Sequence, residues 1–286
     1  METSRSNPQD LLTVVVPKPR ATVSLRGRIA GFPYWILPLL LLGVLTVSLV
    51  TTNPDYTNIW NQLRDGIGMT LAVSFIAYGL SMVFGLLIGL VRSSPPTEKS
   101  GFLKICFYNL ATLYVETLRG LPILVVILVI AFALVPEMVR LLNNAGVPVR
   151  VRDISYEWRA IIALTLTYAA FLSEVFRAGI QSVGRGQVEA AKSLGMNYLQ
   201  IMRLVILPQA VRRVLPPLGN DLIAMIKDSS LVAILGVQDI AQLSKITSSN
   251  TFRYLETYFI AAMIYLSMTL IGSLVVRWLE RRFSET

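Results

Sequence analysis

The chain has 286 residues, 54% of them hydrophobic and 15% charged; soluble chains carry about 25% charged residues, so a soluble globular domain is a poor description. It contains no His, which removes the commonest general base, the commonest metal ligand and any Ser-His or Cys-His pair, and the lone Cys106 excludes an intrachain disulfide. The net charge of +9 is placed between apolar runs, a pattern of membrane orientation and not of nucleic-acid binding.

Residues 1–32 are polar and rich in proline, with Lys18, Arg20, Arg26 and Arg28, and read as a cytoplasmic N-terminal tail. Tyr34–Val50 follows as an apolar run. Thr51-Thr52-Asn53-Pro54-Asp55 offers no small-x-small cleavage site, so this run is expected to be a retained first helix and not a signal peptide. Further spans are expected at Gly66–Val91, Ile105–Val135, Trp158–Ile180, Pro217–Gly236 and Tyr254–Trp278, because about 20 apolar residues cross ~30 Å of hydrocarbon. The third run is too long for a simple span, and Gly120 and Pro122 within Arg119-Gly120-Leu121-Pro122 predict a bend or break. Gly79, Gly85 and Gly89 in the second span predict close helix packing. Six spans place seventeen Lys and Arg on one side and seven on the other, with Arg119 and Lys227 inside spans; both termini and the Gln181–Leu215 loop then face the cytoplasm. The fold class is thus all-α and polytopic, with residues 33–65 as an additional helix and periplasmic loop before a main membrane domain over 66–286.

The Gln181–Leu215 loop carries the sharpest local pattern. Gln187–Leu194 reads as a short helix, with Val188, Ala191 and Leu194 on one face, Glu189 in the first turn and Lys192 near the last. Gly195 suits a left-handed stop, and Asn197 is a good N-cap for a second helix with Tyr198, Ile201, Met202 and Val205 at i, i+3, i+4 and i+7, closed by Leu207-Pro208. Two short amphipathic helices joined by a glycine make a knob that can enter a partner's groove. From physics alone, a helix pair lying on lipid headgroups is the alternative.

Glu189-Ala190-Ala191, three residues, Gly195, nine residues, Val205, one residue, Leu207-Pro208 resembles the EAA loop of ABC importer permeases, whose pattern has Ile at the place of Val205. Glu116-Thr-Leu-Arg-Gly-Leu-Pro122, Glu174-Val-Phe-Arg-Ala-Gly-Ile-Gln-Ser-Val183, Leu207-Pro-Gln-Ala210 and Lys227-Asp-Ser-Ser-Leu231 are similar to the polar amino acid permeases of the histidine, glutamine and arginine type. The resemblance covers about Gly66 to the C-terminus, with the loop over residues 183–208. It implies the type I importer fold in the bacterial inner membrane and alternating access. It also implies a second permease subunit, identical or paralogous, two cytoplasmic ATPase subunits and a periplasmic substrate-binding protein. Glu189, Ala190, Ala191, Gly195, Leu207 and Pro208 would be the ATPase-coupling residues. The chain has no G-x-x-x-x-G-K-[ST] phosphate loop, so ATP and its Mg are expected on the partner ATPases, with no cofactor, metal site or catalytic residue in this subunit.

Charges inside the spans need a reason, because each costs about 2.5–3.5 kcal/mol at the bilayer centre. Glu116 with Arg119, and Glu174 with Arg177, stand at i, i+3 and can neutralise each other or serve a gate. Lys227 and Asp228 are adjacent and diverge by about 100°, so at least one needs a partner on another helix, on the facing subunit or in the substrate. A zwitterionic amino acid needs an acid and a cation. Glu174 and Asp228 are candidates for its ammonium, Lys227 or Ser229 for its carboxylate, and Glu116 and Arg119 complete the expected substrate path. An ion-coupled secondary transporter would explain the buried charges equally well, but it would not need the knob.

Overall fold

The computed structural model describes residues 36–98 and 100–284, and every regular element among them is helical. The tail expected over residues 1–32 lies outside the described residues. The chain divides into two units between Leu45 and Thr46. Helix α1 (Ile36–Thr52) has 17 residues, apolar but for Thr46, Ser48, Thr51 and Thr52, and its last turns open the larger unit.

Asn53 caps the next helix by accepting from the Asp55 N–H at 3.0 Å, and Pro54 occupies its first turn, where a missing N–H costs nothing. Helix α2 (Pro54–Ser93) then runs for 40 residues, about 60 Å at 1.5 Å per residue. It passes unbroken through residues 65 and 66, so the stretch expected to be a loop before Gly66 is helix from Pro54 on. Ala77, Ser81, Gly85 and Gly89 recur every four residues on its buried face. Their small size lets α2 lie directly on α5 (Tyr156–Gln181): a Cβ at Gly85 would come within 2.9 Å of the Leu172 Cβ, and one at Gly89 within 2.8 Å of the Ser173 carbonyl oxygen. The Ser81 hydroxyl crosses the seam to the Thr165 carbonyl at 3.1 Å. Gly79, by contrast, faces open space, so the close packing expected of it belongs to Gly85 and Gly89 alone.

The long third run is two helices, α3 (Phe102–Gly120) and α4 (Ile123–Asn144), broken at Leu121-Pro122, where the Pro122 carbonyl starts α4 by accepting from Val125 and Val126. Inside α4, residues Ile130–Leu134 widen into a π turn just before Pro136. That register shift accommodates the carbonyl a helical proline would otherwise clash with. The guanidinium of buried Arg159, on α5, donates to the Ala131 carbonyl of this turn and to the carbonyls of Val151 and Ile154.

After α5 come α6 (Arg185–Ser193) and α7 (Tyr198–Ile201), then a π turn over Met202–Ile206 and α8 (Leu207–Asp228). Ser229–Leu235 is 3₁₀, so the expected Pro217–Gly236 span is α-helical only to Asp228, and it ends at Gly236 with φ +81°. Helices α9 (Ile240–Thr251) and α10 (Tyr254–Ser284) complete the chain. Among the described residues, four stretches are long and apolar enough to cross a membrane, against the six spans expected: Pro54–Ser93, Ile123–Asn144, Tyr156–Gln181 and Tyr254–Arg282; Ile36–Thr52 is apolar but shorter, and Leu207–Asp228 is not among them. The main core gathers Val73, Ile127, Leu164, Leu172 and Met225 around α5, and a second core joins Ile59, Leu63, Ile240, Ile260 and Ile264.

Candidate functional site

The loop between α5 and α8 folds much as its sequence predicts. Gly195 takes φ +76°, and the Asn197 carboxamide accepts from the Gln200 N–H at 2.9 Å while the Gln200 side chain returns to the Asn197 N–H at 2.8 Å. Ala191 and Ile201 are buried where the two short helices meet each other and the π turn that follows, and Glu189, Ala190, Leu207 and Pro208 are exposed. Two expectations fail. Leu194 does not share the buried face of Ala191: it ends α6, is 82% exposed, and stands with exposed Tyr198 and Leu199 as an apolar tip. Leu207-Pro208 does not close the unit either. Helix runs continuously over residues 198–228, because the π turn at Met202–Ile206 absorbs Pro208 as the turn in α4 absorbs Pro136.

The loop is also tied down by residues that pattern reading passed over. The Gln209 amide donates to Gln187 Oε1 at 2.6 Å and to the Val205 carbonyl at 2.9 Å, and Arg213 donates to the Ser182 carbonyl. The α5 end of the loop and the start of α6 are therefore pinned to α8. An exposed apolar tip on a pinned base is a surface a partner's groove can take.

The charges of three helices meet at one place. Glu174 on α5 accepts from Arg92 of α2 through Oε1 and from Arg177 through Oε2, the Arg177 Nε at 2.9 Å, and Arg119 Nη1 of α3 lies 3.8 Å from Oε1. Arg92 also donates to Glu116 Oε1 at 3.2 Å. The expected pair of Glu174 with Arg177 forms. Glu116 and Arg119 do not pair with each other; each reaches across to a charge on another helix. The organising residue is Arg92, counted in the sequence as a loop charge but only 7% exposed. Its burial was readable, because it continues the small-residue stripe of Ala77, Ser81, Gly85 and Gly89 by one more turn. Beside Glu174, a cleft of about 470 Å³ is lined by Ala178, Ser182, Arg213 and Pro217 among others.

Farther along α5, Arg119 lies over the Phe171 ring at 6.0 Å, Phe171 packs edge-on to Tyr168, and the Tyr168 hydroxyl donates to Asp228 Oδ2 at 2.7 Å. Asp228 thus has its partner on another helix, as its divergence from Lys227 demands. Lys227 is exposed and makes no ion pair among the described residues, while buried Ser229 donates to the Ile226 carbonyl at 2.8 Å. Glu174 and Asp228 occupy two different settings, one crowded with guanidiniums and one facing a phenol.

Residues 101–285 match the family described as the binding-protein-dependent transport system inner membrane component. The chain belongs to that family. As a permease of this kind it is 37% identical over 219 residues to the probable amino-acid ABC transporter permease protein YckA of Bacillus subtilis (strain 168), covering 77% of this chain and 88% of that one. It is 33% identical over 233 residues to the glutamine transport system permease protein GlnP of Escherichia coli (strain K12), covering 80% and 97%. Among solved structures, an amino acid ABC transporter with histidines matches with a TM-score of 0.65 at 36% identity, over 82% of this chain and 97% of that one. The inward-facing MetNI methionine ABC transporter matches with a TM-score of 0.60 at 19% identity and shares the fold. The chain is therefore a membrane-embedded ABC importer permease of the polar amino acid group.

Proposed function

We propose that this permease admits polar amino acids to the cytoplasm by alternating access, driven by ATP that two separate subunits hydrolyse. In this reading the Gln181–Leu215 loop, with its coupling segment over residues 183–208, and both termini face the cytoplasm of a bacterium. A second permease subunit, identical or paralogous, completes the path, and a periplasmic binding protein delivers the substrate. The excess of Lys and Arg on the loop side supports the orientation. The observation that carries the mechanism is the continuous helix over residues 198–228. It joins the exposed tip of Leu194, Tyr198 and Leu199 to Asp228, whose carboxylate meets Tyr168 of α5. A push at the tip is delivered along that rod to the level of Lys227, Asp228 and Ser229. Glu189, Ala190, Ala191, Gly195, Leu207 and Pro208 act as the coupling residues, and the permease performs no bond chemistry. Lys227, Asp228 and Ser229, with Glu116, Arg119 and Glu174, form the substrate path.

The test is mechanical. In the reconstituted four-subunit transporter, Glu189→Lys or Gly195→Arg should leave the subunit inserted while uptake falls and hydrolysis no longer follows substrate. Gly195→Arg acts doubly, through the bulk it adds at the tip and through the strain of a side chain at φ +76°. Full uptake by both variants would overturn the reading. For the path, Asp228→Asn and Lys227→Gln should lower uptake in complexes that assemble normally, and wild-type uptake by both would remove those residues from it.

A further inference from the structure

The charge cluster holds three guanidiniums, Arg92, Arg119 and Arg177, against two carboxylates, Glu116 and Glu174, and so carries a net charge of +1. It is also short of acceptors: the buried Arg92 Nε has no hydrogen-bond partner. The deficit is not spread evenly. Arg92 and Arg177 are tightly bonded to Glu174, whereas the one ionic contact of Arg119 is 3.8 Å long, beyond good hydrogen-bond distance. Exposure divides the cluster the same way. The inner partners Arg92 and Glu174 are 7% and 17% exposed, and the outer pair Arg119 and Glu116 are 40% and 63% exposed. Glu116 and Arg119 stand one helical turn apart on α3, directly before the break at Leu121-Pro122. An acid and a cation held side by side, each anchored from behind by an opposite charge and each open in front, match the two charges of a free α-amino acid.

We propose that Glu116 and Arg119 form a subsite for the α-ammonium and α-carboxylate of the transported amino acid, with Arg92 and Glu174 as positioning residues; this rests on the importer reading above. The carboxylate supplies the third anion that balances the cluster and gives Arg119 the acceptor it lacks. The ammonium takes the exposed face of Glu116. Glu174 is then no ligand, because its oxygens are already engaged by arginines. Phe171, beside Arg119, offers an apolar wall next to the site. Recognition falls on groups every amino acid shares, which leaves side-chain selection to other parts of the path.

The test uses the complete transporter in nanodiscs without ATP, with radiolabelled L-glutamine and L-histidine as probes, chosen from the names of the relatives above. In the wild type, blocking either end of the probe, as the N-acetyl derivative or the carboxamide, should weaken competition about tenfold to hundredfold, as expected for losing a hydrogen bond to a charged group. Arg119→Gln should raise the Kd by a similar factor and abolish the preference for the free carboxylate over the carboxamide, and Glu116→Gln should abolish the preference for the free amine. A merely structural role would weaken both probes without removing either preference. Arg119→Lys, which keeps the charge, should retain the carboxylate preference. If a glutamine variant fails to assemble, the analogue series on the wild type and on Arg119→Lys decides. Equal binding of free and blocked probes by the wild type, or unchanged preferences in both variants, overturns the subsite. A wild-type transporter that imports no amino acid would sink the importer reading itself.

Discussion

Gly89→Ala is the sharpest perturbation of the α2–α5 seam. An added Cβ at Gly89 meets the Ser173 carbonyl oxygen at 2.8 Å and the Phe176 Cβ at 2.9 Å, with the Arg177 nitrogen at 3.4 Å. Carbon contacts settle near 3.5–4.0 Å, so the helices must part by roughly 0.5–1 Å at this level. Two of the opposing atoms are backbone, and no rotamer change relieves them. Overpacking of this kind costs about 1–3 kcal/mol, or about 2–12 °C in a chain of this size. The same displacement draws Arg92, less than a turn along α2, away from Glu174, so uptake should fall along with stability. Gly79→Ala is the control on the same helix: its Cβ meets nothing within 4 Å, and alanine favours the helix by up to about 1 kcal/mol. The assay heats detergent-solubilised variants in steps and measures the monodisperse fraction by fluorescence-detected size exclusion. If Gly89→Ala survives heating as well as Gly79→Ala, the close contact of α2 with α5 is not what holds this core.

Three further outcomes follow from particular contacts. Arg159→Met strands the carbonyls of Ala131, Val151 and Ile154 and should cost about 2–4 kcal/mol in the same heating assay, with Arg159→Lys recovering only part, because an ammonium lacks the planar fork. Phe252 holds a left-handed φ of 59° while 80% exposed, so Phe252→Gly should stabilise the protein by up to about 1 kcal/mol, the relief of strain less the entropy glycine loses; a lower melting point would show that the ring makes a contact that matters. Burial pushes the Asp239 carboxyl above the ordinary carboxylate range, against the hydrogen bonds it accepts from Gln242 and Tyr265. The folded state therefore holds that proton more tightly than the unfolded one. Its contribution is full below the unfolded value of about 3.9 and is lost as pH rises through the raised folded value. Asp239→Asn, still a good N-cap, should flatten that part of a melting-temperature series taken from pH 4 to 8; an unchanged slope would refute the assignment.

The positions of the apolar helices and the turns of the loop were legible because they depend on local rules: hydrophobic length, the left-handed glycine at 195, the cap at Asn197. What escaped was set by contacts between distant segments. Glu116 and Arg119 satisfy the spacing for a helical ion pair, yet each finds a better-placed charge on another helix, and i, i+3 spacing cannot show that. Arg92 hid because a charge at a helix end resembles a loop residue; only the phase of the small residues before it places it inside. The continuity over residues 198–228 escaped for another reason. Proline is read as a helix end, and the π turn that lets Pro208 stay inside has no simple sequence mark.

That continuity also bears on how force could travel. A helix that stopped at Leu207-Pro208 would leave the tip on a hinge, and a push there would be taken up by loop motion. In the observed arrangement the helix is continuous and Gln209 and Arg213 brace its base; α8 is flanked by the π turn at Met202–Ile206 and the 3₁₀ stretch at Ser229–Leu235, and Pro216 and Pro217 sit inside it. Bending is cheapest at irregular turns, where backbone hydrogen bonds are already shifted. The paired prolines add a third such place, so α8 has compliance in its middle as well as at its ends. The first half of α8 is held as closely as the α2–α5 seam: a Cβ at Gly179 of α5 would collide with Val214 Cγ1, and the Tyr78 hydroxyl of α2 donates to the Leu218 carbonyl at 2.6 Å, while at its far end Asp228 meets α5 through the Tyr168 hydroxyl.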